Sequence, residues 1–148
     1  MKISIVLLLS VCVANSYAGL GGAPAAPGPH LLANAAASAP SAGNPSAYTD
    51  LKRTLDSGTE VHEFLNDRGT VFAVSWSGPF LPDLKEVLGS HFQTLRDHVK
   101  KRAGGARSQV RLQQDDLVIF SGGRPGAFEG RAWIPALLPA GFDTAAVK

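Results

Sequence analysis

Cysteine is almost missing from this chain: the single one, Cys12, lies inside the apolar run near the amino terminus. With that run removed, the chain has no disulfide, no thiolate metal site and no cysteine nucleophile, so an apolar core must hold its fold. Long hydrophobic runs are missing too. The longest, Ile3 to Val13, is about half of what a membrane span requires. No later stretch approaches it, and no membrane span is expected. Neither sign of charge is in excess, with fourteen Lys and Arg facing twelve Asp and Glu. No stripe of Lys and Arg interleaved with aromatics appears, so nucleic acid is not an expected partner. The densest basic run, Lys100-Lys101-Arg102, reads as the cationic end of a helix, which the helix dipole favours.

What is present divides the chain into three parts. Lys2, the apolar run and the exit Ser16-Tyr17-Ala18 form the charged, apolar and small-x-small regions of a cleavable signal peptide over residues 1–18. Leu9-Ser10-Val11-Cys12 is a poor lipoprotein box, because Val11 occupies a position that wants a small residue. Residues 19–47 are dominated by Gly, Ala, Pro and Ser and contain no Phe, Trp, Tyr, Asp, Glu, Lys or Arg. Such a tract buries too little apolar surface to offset its ordering entropy, and a flexible linker is expected. From residue 48 to residue 148 the composition is that of one compact domain.

Within that domain the pattern is strands, helix, strands. Glu60 to Leu65 and Thr70 to Trp76 flank the turn Asn66-Asp67-Arg68-Gly69 and form a hairpin. Val71 to Trp76 is apolar on both faces, as in a central strand covered from two sides. Tyr48 to Leu55 fits either a preceding strand turned by Asp56-Ser57-Gly58 or a short helix, with the strand favoured. Asp83, followed by Glu86, opens a helix in which Leu84, Val87, Leu88, Phe92, Leu95 and Val99 share one face and Gly89 weakens the middle. Ser108 to Gln113, Leu117 to Ser121 and Phe128 to Pro135 read as three more strands. The expected fold class is α+β, a mainly antiparallel sheet of about five to six strands with one amphipathic helix packed across it.

No coherent catalytic set emerges. Ser75 lacks the flanking glycines of a nucleophile elbow. His91 and His98 are seven residues apart, about 10 Å along a helix, too far to share one metal ion. Asp83 and Glu86 serve the helix start, and Asp115-Asp116 serves a turn. Glu63 and Glu129, expected on neighbouring strands, remain as a candidate carboxylate pair for glycan hydrolysis. The segment Ser121-Gly122-Gly123-Arg124, with Pro125-Gly126 after it, reads as a glycine-rich loop whose amides and guanidinium suit a small anion. Those four residues are the candidate ligand site. No catalytic residue, metal or cofactor is expected.

The runs Val71 to Pro79, Pro82-Asp83-Leu84, Leu88-Gly89, Ser121-Gly122-Gly123, Gly130-Arg131-Ala132 and Leu138-Pro139-Ala140-Gly141 occur in an order and spacing that resembles a proteobacterial family, the domain of unknown function 2844. The resemblance implies a small exported protein of a Gram-negative bacterium, periplasmic or secreted, and implies no activity. Members often carry a histidine-containing run after the glycine pair. Arg124-Pro125-Gly126 stands there instead, so no role of that histidine carries over. The functional expectation is an exported, non-catalytic binding or accessory module whose partner is another envelope protein or a small anionic ligand. The alternatives are a cell-wall or glycan hydrolase, and a self-associating envelope protein pairing through Val71 to Trp76 or Leu117 to Phe120 at a sheet edge.

Overall fold

The computed structural model describes residues 19–24, 37–38, 48–101 and 109–147. The expected signal peptide, most of the expected linker and the Gly104-Gly105 helix exit lie outside the described residues. Seven strands form one sheet: β1 (Ala37–Ser38), β2 (Thr49–Thr54), β3 (Glu60–Leu65), β4 (Val71–Gly78), β5 (Gln109–Gln113), β6 (Val118–Arg124) and β7 (Ala127–Trp133). Their order is β1-β2-β3-β4-β7-β6-β5, and every neighbouring pair is antiparallel. Between β4 and β5 the chain crosses the sheet as α1 (Leu84–Leu88) and α2 (Phe92–Lys101), joined by a 3-10 turn over Gly89–His91. The α+β architecture is therefore as the apolar spacing predicts.

Local chemistry explains the element ends. In the turn between β3 and β4, the Asn66 side chain accepts hydrogen bonds from the amides of Arg68 and Thr70 (3.1 and 3.0 Å), and Gly69 takes a positive φ of 71°. Asp83 caps α1, its carboxylate accepting from the Lys85 amide at 2.9 Å. Glu86 does not reach back to complete a capping box. Its carboxylate accepts from Arg53 Nη1 at 2.6 Å and ties the helix to β2. Gly89 lies at φ 54°, where other residues are strained, and there the helix kinks.

The sheet has two differently covered faces. On the helix face, Val61, Val74, Trp76, Leu112, Ile119 and Ala132 meet Val87, Leu88 and Leu95 in the main core. On the opposite face, Phe64, Phe72 and Ala73 are covered by the carboxy-terminal tail, whose Phe142 stands edge-on to Phe72 at 4.9 Å and to Tyr48 at 5.1 Å. The register between β3 and β4 slips at Phe64/Leu65, and this bulge allows both Phe72 and Ala73 to serve the tail face. Pro135 and Pro139 limit the tail to two 3-10 turns, Pro135–Leu137 and Thr144–Ala146, the second capped by Asp143.

The expected linker departs from a free tract at two places. Ala37–Ser38 pairs with β2. Gly19–Gly22 is stitched into the domain: the Leu20 amide donates to the Val87 carbonyl (3.1 Å), the Gly21 amide to the Val71 carbonyl (2.8 Å), and the Val71 amide to the Gly22 carbonyl (3.0 Å). Leu20 itself is 2% exposed and belongs to the main core. One buried leucine with three backbone hydrogen bonds offsets the ordering cost of so short a segment. Leu20→Ala is therefore expected to destabilise the protein by about 2–5 kcal/mol, the range for truncating a buried leucine. Urea denaturation of the two proteins measures it, and a change under about 0.5 kcal/mol, as for a surface substitution, would place Leu20 outside the core.

Candidate functional site

Strand register decides which side chains meet. Reading across the tail face, Lys52, His62, Ser75, Arg131, Phe120 and Arg111 occupy successive partner positions from β2 to β5. Only part of this row is closed: Ser75 is fully buried in β4, while the partly exposed His62 holds its Nδ1 3.0 Å from Asp50. Beyond β4 the face opens into a groove of about 680 Å³ whose walls include Ser77, Gln109, Arg111, Phe120, Glu129 and Arg131. In it the Arg111 and Arg131 guanidinium groups lie 4.9 and 5.4 Å from the centre of the Phe120 ring. Arg131 is also 5.9 Å from the Trp133 ring and donates to the Val147 carbonyl at 3.4 Å. Among the described residues no carboxylate lies within ion-pairing distance of Arg111 or Arg131. Two cations are thus held against one aromatic platform with most of their N–H donors unspent.

Ser121, Gly122, Gly123 and Arg124 do not form a loop. They are the second half of β6 and pair with Gly130, Glu129, Phe128 and Ala127 of β7, and the turn is reduced to Pro125-Gly126. Ser121 and Gly122 are also paired on their other side, with Val110 and Gln109 of β5. Backbone amides committed to strand ladders cannot form an anion nest, which corrects the physical basis of that reading. The first three of these residues still matter, because they line the groove and also an apolar cleft of about 350 Å³ on the helix face. A strand without side chains at two successive positions leaves room on both faces.

The candidate carboxylate pair is taken apart by the same register. Glu63 pairs with Val74 and faces the helix, where it is 2% exposed with Arg53 at 3.6 Å. Glu129 pairs with Ser77 and lines the groove on the opposite face. The two cannot flank one scissile bond, so they do not form the carboxylate pair of a glycan hydrolase. The edge-strand expectation is corrected as well: β4 and β6 are interior, and the sheet ends at β1 and β5. Among the described residues no three His, Cys, Asp or Glu side chains are placed to hold a metal ion, and no helix is long and apolar enough to cross a membrane.

A family model described as a protein of unknown function matches residues 16–147, nearly the whole chain. The chain belongs to the DUF2844 family. No curated protein and no solved structure matches it. The matched region begins just before the stitched Gly19–Gly22 segment and takes in both hollows of the sheet.

Arg111 and Arg131 escaped the sequence reading because they stand twenty positions apart, and only the register brings them to one ring. The available signal was strand alternation. Arg111, Phe120 and Arg131 each neighbour a buried residue (Leu112, Ile119, Ala132) and so must share the other face.

One titratable group is perturbed. His91, at the helix kink, packs over Gly21, and burial lowers its pKa from 6.5, a shift that the nearby Asp116 partly opposes. The folded state then resists a proton that the unfolded chain accepts. Stability is full above pH 6.5, falls as pH drops through that value, and levels off below the lowered folded pKa. Denaturation midpoints between pH 8 and pH 5 are expected to fall more steeply for the native protein than for His91→Gln. Parallel curves for the two would show that His91 contributes nothing to the pH dependence.

Proposed function

We propose that this DUF2844 protein is an exported binding module, periplasmic or secreted, and that it holds a small organic anion in the groove over Phe120. One observation carries the reading: two guanidinium groups stacked on a single ring, without carboxylate partners among the described residues, in an open groove. A guanidinium held over an aromatic ring loses less freedom when it binds than a free side chain, and its planar fork matches a carboxylate or phosphate. Phe120 offers an apolar surface beside the charge, which suits an anion with a flat apolar part. Ser77, Gln109 and Glu129 supply polar contacts along the groove. Among the described residues no nucleophile, general base and oxyanion donors are brought together, and the reading is therefore one of binding. Export rests on the charged, apolar and small-residue pattern of residues 1–18.

The test uses the protein expressed with its own leader and recovered from the exported fraction. Its intact mass should correspond to a chain beginning at Gly19. Calorimetric titration should show saturable binding of benzoate and phenyl phosphate and none of benzyltrimethylammonium. Arg111→Ala and Arg131→Ala should each weaken anion binding by about 10- to 100-fold, the usual effect of losing a hydrogen bond to a charged group. Anion binding that is absent, or equal in the native and substituted proteins, would refute the groove as the site. A mass that retains residues 1–18 would refute export by cleavage.

A further inference from the structure

The helix face carries a hollow with different chemistry. The stripe Phe92, Leu95 and Val99 points at the sheet, and Leu95 is buried as an amphipathic helix requires, yet Val99 is 44% exposed. Beneath Val99 the sheet presents Gly123, paired with Phe128 and without a side chain toward the helix, so there the helix stands off the sheet. The resulting cleft, about 350 Å³, has walls of Leu84, Phe92, Leu95, Val99, Val110 and Phe128. Leu81 at its margin is 46% exposed. Gly123 lies at φ 134°, and a Cβ there would run into the Ala127 carbonyl oxygen and the Phe128 Cα of β7, so the close approach of β7 fixes a glycine and leaves its place on the cleft floor unfilled. A cleft with apolar walls left open to water is unfavourable unless it is filled at work.

The rim indicates what fills it. Arg96 and Lys100 follow Leu95 and Val99 by one residue each, so both flank the apolar stripe, and both line the cleft. Among the described residues neither has a carboxylate within ion-pairing distance. An apolar trough ending in two cations without carboxylate partners among the described residues is complementary to a chain with an anionic head. At about 30 Å³ per water-sized unit, a methylene being similar, the cleft takes a chain on the order of ten carbons. It lies within the range of roughly 300–1,000 Å³ typical of small-molecule sites. We infer that the cleft between α2 and the glycine pair of β6 is a binding site for a medium-chain fatty acid, its carboxylate held by Arg96 and Lys100. This site is separate from the groove over Phe120, since the two open on opposite faces of the sheet.

The test is titration of the delipidated full mature chain with dodecanoate below its micellar concentration, with dodecyltrimethylammonium as the comparison. Dodecanoate should bind one to one, and the cation at least 10-fold more weakly. The double variant R96Q/K100Q should lose at least 5-fold in dodecanoate affinity. Val99→Asp, at a position exposed enough to leave the fold intact, should abolish it, with unchanged circular dichroism as the control. Phenyl phosphate should not displace the bound fatty acid. Lack of saturable binding, equal affinity for the cation, or an unaffected Val99→Asp protein would overturn the inference. Displacement by phenyl phosphate would move the fatty acid to the other face and overturn it as well.

Discussion

Trp76 lies across Gly130, and much of the architecture depends on that contact. The two residues are direct partners on β4 and β7 and face the helix. The indole sits so close that a Cβ at Gly130 would collide with its Cε2 and Cζ2 atoms, and the Phe120 carbonyl oxygen would be only 2.8 Å away. The ring is 1% exposed. Its N–H finds no acceptor among the described residues, an unmade bond that costs about 1–3 kcal/mol and is outweighed by the apolar area the indole buries. A one-residue slip of β7 against β4 would put Arg131 or Glu129 under the indole and reverse every side chain of β7, so the contact and the register specify each other.

Once that register is set, the chemistry of both faces follows. Gly130 under Trp76 places Arg131 on the opposite face, and the pairing of β7 with β6 and of β6 with β5 places Phe120 and Arg111 beside it. The same pairing brings Gly122 and Gly123 to the point where the helix-face cleft and the tail-face groove lie back to back. The helix reaches β5 at Leu95 and Leu112 but leaves Val99 exposed, and the tail covers chiefly the β3–β4 region, leaving cations over apolar surface on both sides. Arg96 and Lys100 flank one hollow, and Arg111 and Arg131 the other.

The regular elements were legible in the sequence because their periods are strong. Val71 to Trp76 carries β-branched and aromatic residues on both faces, and the structure covers both. The helix announced itself through Asp83 and its apolar spacing, and even the weak point at Gly89 proved to be a kink. Leu20 was not legible. A lone apolar residue among Gly, Ala and Pro has no period, and only the tertiary structure provides its pocket between Val71 and Val87. Ser121 to Arg124 misled for the opposite reason. Two successive glycines are a strong local sign of a loop, but pairing with β5 and β7 overrides local preference. Glu63 and Glu129 looked alike in sequence, and only strand parity, fixed by pairing, separates them to opposite faces.

The central claim, that the seat of Trp76 on Gly130 fixes the sheet, is tested most directly by a double-mutant cycle in urea denaturation. Gly130→Ala alone should destabilise by about 1–3 kcal/mol or more, because the packed indole cannot move aside. In a Trp76→Leu background, where the ring is gone, the same added methyl should cost at least about 1 kcal/mol less, an interaction energy typical of residues in contact. If instead Gly130→Ala costs the same in both backgrounds, the indole and the glycine are independent, and the register must be set elsewhere.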